Sequence, residues 1–465
     1  MSWTIGLYVG ESFAEIAAKK GEGSTIPSKR WFLPQMSLER GIQNYLVENK
    51  LDSVTLVRVA TRLGRQMILR RLGQVPAILV TAGFEDWPEM NLPIQDSRFT
   101  ILPKRAAPPL SSHLVFGLTE RINAQGDVEK ALVEDDLEFL VSKLQMNKVD
   151  HLVLGLMHST MNPEHERMAE TYLRERGFQV FPSYSVSGAT AEKPRWWHSV
   201  LNAYLEPAFK DVLGRIQKGF SEHQNGDPSI ALTTGDSAAN TANWERPLGS
   251  LFGSAHLLNS RRKDKGEALL YLGLEEFFLL PGQAEDQLDW ISDFGRVHLP
   301  HPETKELHLQ PTTLIAKSSF GCPNLSHEVA GFEPGPMCFG RGVKPLLLDV
   351  LYLNSRLSHV EVLGDHVTDK MDGRIKETLS AYAREASSES DFSAEDICHW
   401  LEEMALHTLA SEIRAHSRSQ RVRVAGPLSP VLTPLLTPLL TEIELSPLCV
   451  ENRPLCEHLL ADGDV

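Results

Sequence analysis

Glu333-Pro-Gly-Pro-Met-Cys-Phe-Gly-Arg-Gly342 surrounds one thiol, Cys338, and one cation, Arg341, with glycine and proline. Glycines at 335, 340 and 342 permit positive φ and close backbone approach, and Pro336 stiffens the turn. An apolar run carrying Asp349 follows. Such a segment suits a backbone turn lining a cleft, with Gly335, Cys338, Gly340, Arg341 and Asp349 as candidate cleft residues.

Outward from this turn, strand and helix patterns alternate. Apolar alternation on both sides of Gly10 to Ser12 predicts a β-hairpin over residues 4–18. The spacing of Leu38, Ile42, Tyr45 and Leu46 predicts a helix over 37–49, followed by a strand over 53–60, a helix over 62–72 and a strand over 76–81. Prolines between 86 and 112 exclude helix interiors and central strands, so an irregular stretch is expected there. A helix over 132–144, a strand over 151–157 and a helix over 163–176, ended by Gly177, come next. Residues 195–220 read as one long amphipathic helix, and the polar Ser221-Glu-His-Gln-Asn-Gly-Asp-Pro228 behind it as a linker. Further strands are expected near 229–233, 267–272 and 275–280, and helices over 248–263, 344–357 and 393–415. Residues 424–448 repeat Leu-Thr-Pro-Leu, too proline-spaced for one continuous helix. The alternation defines an α/β protein. It divides into an α/β domain over 1–195, a connecting helix and loop over 196–228, and a second domain over 229–465.

With 465 residues, 42% hydrophobic and 23% charged, the chain is long enough for two or three domains with their own cores. Its net charge of -15, without basic runs interleaved with aromatics, argues against a nucleic-acid partner. Cysteines at 322, 338, 398, 449 and 456 form no CxxC pair, which fits reduced thiols in a cytoplasmic protein. Met-Ser-Trp-Thr-Ile opens the chain without a signal-peptide pattern, and no apolar run reaches the length of a membrane span. Neither export nor membrane association is expected.

Four segments, in order, resemble those of the hydantoinase A/5-oxoprolinase family, which includes the ATP-using subunits of acetone and acetophenone carboxylases. Val80-Thr-Ala-Gly-Phe-Glu-Asp86 resembles its Val-Thr-x-Gly-Phe-x-Asp segment, and His158-Ser-Thr-Met-Asn-Pro-Glu-His-Glu166 its His-Ser-x-x-Asn-Pro-x-His-Glu stretch. Asn202-Ala-Tyr-Leu-Glu-Pro207 resembles its Asn-Ala-Tyr-Leu-x-Pro helix, and the turn ending at Gly342, with Asp349, its Gly-Pro-Gly-Pro-x-Cys-Tyr-Gly-Arg-Gly turn. The resemblance implies two actin-like, ribonuclease H-like (ASKHA) domains that clamp ATP in an interdomain cleft, each contributing a phosphate turn. It also implies that the second domain ends short of the C-terminal region of longer members.

The phosphate turns depart from that family's pattern. Its Asp-x-Gly-Gly-Thr-x-Thr-Asp offers backbone amides and hydroxyls to phosphate and an aspartate to metal or water. The aligned residues here are Tyr8-Val-Gly-Glu-Ser-Phe-Ala-Glu15. Tyr8 replaces the metal-side carboxylate and Glu11 a glycine, leaving Gly10 and Ser12 as the cleft candidates of this turn. The second turn, Asp-Met-Gly-Gly-Thr-Ser-Thr-Asp, aligns with Leu272-Gly-Leu-Glu-Glu-Phe-Phe-Leu279, where Glu275 and Glu276 arrive and every hydroxyl is lost. Like charges near contact repel by several kcal/mol at an effective dielectric of ~20, which opposes a triphosphate here.

Three classes of function stay open. In the first, the chain is a non-catalytic or regulatory member of the family that uses neither ATP nor Mg. It then acts through subunit contacts, with copies of itself or with a hydantoinase B-like or carboxylase subunit. In the second, it is an ATP- and Mg-dependent hydrolase of cyclic amides, of hydantoin or 5-oxoproline type, or a ketone carboxylase subunit. Arg58, Arg62, Arg65 and Lys344 are its replacement phosphate donors. In the third, the old cleft binds a cationic or neutral small molecule, or a protein.

Individual residues carry alternatives too. His158, His165 and Glu166 are metal-ligating types, set against a reading in which they cap a strand end and the next helix. Cys338 is either a nucleophile activated by Arg341 or Lys344 or a packed cleft residue. Glu275 and Glu276, pointing to opposite faces of a strand, are expected in a solvated turn rather than as an acid–base pair. Trp196, Trp197, Phe277 and Phe278 are expected in core or subunit contacts.

Overall fold

The alternating apolar residues of the N-terminus form the expected hairpin, Trp3–Val9 antiparallel to Phe13–Lys20 with Val9 opposite Ala14. Thr25–Phe32 extends the sheet on the Phe13–Lys20 side, while the parallel strands Val54–Thr61 and Ser229–Leu232 extend it on the other. Counted along the chain, the strand order is third, second, first, fourth, fifth. A second sheet repeats that order and those strand directions with Ala268–Leu272, Phe277–Leu280, Lys305–Glu306, Arg421–Ala425 and Ser446–Glu451. Two copies of one ribonuclease H-like sheet make this an actin-like α/β protein. The computed structural model describes residues 2–460 apart from 22, 91–107, 187, 222, 224–226, 236–238, 263, 284, 318–322, 332–333, 358–370, 387–392 and 452–453. Glu333, Cys322, most of the expected irregular stretch and part of the expected linker lie outside the described residues.

The first sheet is buried on both faces: Ile5, Leu7, Val57 and Val59 pack into the first core, and Tyr8, Ala17 and Ala60 pack into the apolar cluster on the other side. Leu38–Glu48 and the 30-residue helix Glu192–Ser221 pack together as part of the first core, with Trp196 and Trp197 packed edge-on against Trp87. The short helix Leu455–His458, from the far end of the chain, returns to this sheet. Gly6 makes that contact possible, since a Cβ there would fall 2.0 Å from the Cys456 carbonyl oxygen. Between the fourth and fifth strands an all-parallel sheet is inserted, made of Ala77–Thr81, Val115–Leu118, His151–Gly155 and Gln179–Pro182.

Three expectations are corrected. The boundary at 229 falls inside the first sheet, because Ser229–Leu232 pairs with Val54–Thr61; the polar linker joins a helix to the fifth strand of the same lobe. Residues 424–448 do not form one continuous helix, as expected, but proline is not what divides them: the strands Arg421–Ala425 and Ser446–Glu451 flank one helix, Ser429–Glu442, with Pro434 and Pro438 inside it. Pro430, Pro434 and Pro438 recur every fourth residue on the exposed stripe, while Leu432, Leu436 and Leu440 are buried. The carbonyls that lose their N–H partners belong to Pro430 and Pro434 on that wet stripe, and core packing of the leucines outweighs the broken bonds. The helix expected over 248–263 is divided into a 3-10 turn, Pro247–Phe252, and a helix, Gly253–Ser260. Among the described residues no helix is long and apolar enough to cross a membrane.

Candidate functional site: two hairpin turns and the cleft beside them

Each sheet's first hairpin closes in the same way. Gly10 N donates to Phe13 O at 2.8 Å, and Gly273 N donates to Glu276 O at 2.9 Å. Gly273 is therefore the structural counterpart of Gly10, which shifts the sequence alignment by one residue: Tyr271, not Leu272, matches Tyr8, and Glu275 matches Ser12.

The second turn inserts Glu275 into the first. Its Oε1 accepts from Ser12 N at 2.6 Å and Phe13 N at 3.1 Å, and its Oε2 accepts from Glu11 N at 3.0 Å. Successive N–H groups converging on one acceptor form an anion nest, the device by which hairpin and glycine-rich turns hold phosphate. Here the chain supplies the anion. Gly10 leaves the space for it, because a Cβ at that position would lie 2.0 Å from Glu275 Oε2. Burial pushes the Glu275 carboxyl up to about 7, outweighing Arg62 and the donors from Ser12 and Glu11, which act in the opposite direction. The expectation of a solvated turn is thus corrected: Glu275 is 7% exposed, because its turn faces the other lobe instead of water.

Beneath the turns, Tyr8, Ala17 and Ala60 of the first sheet share one apolar cluster with Leu269, Tyr271 and Phe278 of the second. Burial raises both tyrosine hydroxyls well above their usual range, so neither presents an ionised oxygen. Trp196, Trp197, Phe277 and Phe278 are all core residues.

A cleft of about 530 Å³ opens beside the turns. Arg62, Arg65 and Arg70 line it, as do Glu11, Glu275, Glu276 and Glu306. Arg70 pairs with Glu11 at 2.5 Å and Arg65 pairs with Glu306, whereas Arg62 Nε is 3.9 Å from Glu276 Oε2. Of the four proposed replacement donors, Arg62 and Arg65 face the cleft. Arg58 instead donates to the Leu459 carbonyl at 3.1 Å, and Lys344 is exposed outside the cleft lining.

The turn around Cys338 has a different task. Asp349 accepts from the backbone of Met337 at 3.2 Å, Cys338 at 2.7 Å and Leu346 at 2.8 Å, and so holds the turn shut from inside. Gly335 and Gly340 take positive φ of 89° and 75°. Phe339 projects from this turn to stack on Phe32 at 5.2 Å and meet Phe13 edge-on at 5.7 Å, both in the first lobe. Cys338 is fully buried, and burial together with Asp349 drives its thiol well upward, which removes the thiolate a nucleophile needs. Arg341 reaches a separate depression of about 420 Å³ that Gly10 and Ser12 also border, so these three candidates are neighbours while Cys338 and Asp349 are not among its lining.

His158 lies in the turn after the strand His151–Gly155, and His165 and Glu166 lie in the helix Glu164–Arg174 that follows it. His158 takes a φ of 57°, with Nδ1 3.7 Å from Glu192 Oε1. His165 Nδ1 is bonded to Glu120 Oε2 at 2.6 Å, and Thr81 donates to the other Glu120 oxygen. Glu166 accepts from Leu156 N, Ser183 Oγ and Tyr184 N at 2.9, 2.7 and 2.9 Å. Two of the sequence motifs thereby meet in one hydrogen-bonded network. Among the described residues no group of three or more His, Cys, Asp or Glu is placed to hold a metal.

Two ribonuclease H-like lobes meeting through their first hairpin turns, with a cleft beside them, define an actin-like protein. Residues 16–177, about a third of the chain, match the family described as Hydantoinase/oxoprolinase N-terminal region. The acetophenone carboxylase gamma subunit of Aromatoleum aromaticum is 27% identical over 239 residues, 46% of this chain and 32% of that subunit. The nucleotide-free structure of acetone carboxylase superposes with a TM-score of 0.74 at 16% identity, over 93% of this chain and 67% of the other. ATP-dependent caprolactamase from Pseudomonas jessenii gives 0.67 at 18% identity, over 94% and 67%. The chain thus spans about a third of the length of the first relative and about two thirds of each structural neighbour.

Proposed function

We propose that this chain is a non-catalytic or regulatory member of its family, in which an internal carboxylate takes the place of nucleotide phosphate between the lobes. The observation that carries this reading is Glu275 accepting three backbone N–H groups from residues 11–13. A nest whose three N–H groups already donate to the Glu275 carboxyl has no donors left for a phosphate, and an anion brought to Glu11, Glu276 and the ionised fraction of Glu275 meets charge repulsion. The protein then acts through its surface, as one subunit of an assembly. This fits the similarity to proteins named as carboxylase and caprolactamase subunits.

Isothermal titration of Mg-ATP into the purified full chain tests the proposal. No saturable heat is expected, and no ATP hydrolysis above buffer; micromolar binding overturns it. The alternative, an ATP-dependent enzyme with a rebuilt site, draws support from Arg62 and Arg65 facing the cleft, and the same titration decides against it if silent. Co-purification with an endogenous partner subunit is the expected sign of assembly.

A further inference from the structure

Arg62 lines the cleft at 7% exposure, and its Nε and Nη1 are buried without a hydrogen-bond partner. Glu276 Oε1 and Ser254 Oγ, on the same lining, are buried and unpartnered as well. Arg62 Nε and Glu276 Oε2 are 3.9 Å apart, close enough to attract and too far to bond. Buried polar groups are nearly always satisfied, so unmet donors and acceptors clustered on a cleft of ligand size mark a site completed by something else. The remaining charges are already matched: Arg70 by Glu11, Arg65 by Glu306, and Glu275 by three N–H groups. What stays open is one cation beside one anion, with Leu69, Leu251 and Phe252 on the apolar part of the lining.

We infer that the cleft binds a small zwitterion with an apolar body, of the α-amino acid class, its carboxylate on Arg62 and its ammonium on Glu276. Such a ligand carries both groups on one carbon, side by side as the two protein groups are, and meets both without leaving net charge buried. A simple carboxylate would leave Glu276 unmatched, and a simple amine would leave Arg62 unmatched. The inference rests on the reading of the cleft as closed to nucleotide.

Isothermal titration of the full chain with L-phenylalanine and L-leucine, each beside the acid lacking its amino group and the amine lacking its carboxyl, tests it, with Mg-ATP in parallel. Saturable binding of at least one amino acid is expected, about tenfold or more tighter than either single-charge counterpart. R62Q and E276Q are each expected to weaken it about tenfold or more with an unchanged melting temperature; S254A serves if R62Q does not fold. Equal binding of an acid or amine counterpart, or undiminished binding by E276Q, overturns the inference. Silence from both amino acids and from Mg-ATP overturns this inference alone, whereas saturable Mg-ATP binding overturns the reading of the cleft on which it stands.

Discussion

Glu275 carries a buried carboxylate from one hairpin turn into the other, and its titration links the contact to pH. Its folded pKa, about 7, stands above the unperturbed value of 4.5, so the folded chain binds more protons than the unfolded chain between those values. The stability from this group is fully present below pH 4.5 and is lost as pH rises through 7. A displacement of that size corresponds to about 3 kcal/mol. Urea unfolding is therefore expected to show wild type losing about 3 kcal/mol more than E275Q between pH 4.5 and 8, while Glu166 and Asp349, also raised by burial, cancel in the comparison. Parallel curves for the two proteins would refute the assignment. G10A places a methyl on Glu275 Oε2 and is expected to cost about 2–4 kcal/mol by displacing the carboxylate from its three donors. Gly10 and Ser12 are readable from the sequence as turn residues. Their partner is not, because the contact closes over 264 residues of chain and adjacent glutamates look like solvated charge until the second lobe is in place.

At the scale of elements, helices with a clear apolar stripe and strands buried on both faces are legible, as in Leu38–Glu48 and Ala77–Thr81. Edge and surface strands are not. Thr25–Phe32 contains a proline and is largely exposed along its first half, and Asp286–Ser292 is mostly polar, so neither carries the alternation by which a strand is recognised. Ser429–Glu442 escapes for the opposite reason: the cost of a proline depends on which side of the helix faces water, and the sequence does not say. Its prolines are expected to be tolerated, not required. P434A should stabilise by about 1–3 kcal/mol, since it restores a backbone hydrogen bond, while L436A should destabilise by about 2–5 kcal/mol through the cavity it leaves. Chemical unfolding of both variants checks this, and a destabilised P434A would show that the exposed prolines have a packing partner outside this chain.

For the molecule as a whole, the repeated sheet order is accessible only through resemblance, because periodicity finds strands without saying which lie beside which. The domain boundary is hidden for the same reason: the fifth strand of the first sheet follows a polar linker, and the last helix crosses back to the first strand. That interleaving bears on function. An actin-like clamp that opens around a nucleotide must separate its lobes, and here separation would break the Glu275 contact, expose the tyrosine-lined cluster and pull Phe339 from Phe13 and Phe32. Burying an aromatic of this kind stabilises by about 3–5 kcal/mol against alanine. The lobes should therefore open only with global unfolding, so the amides of Glu11, Ser12 and Phe13 should exchange hydrogen as slowly as those of the strands flanking them, with no change on adding Mg-ATP. F339A, by removing the aromatic bridge, should speed exchange at this turn ahead of the sheet core; if the wild-type turn already exchanges rapidly, the lobes move independently and the carboxylate holds the turn only part of the time.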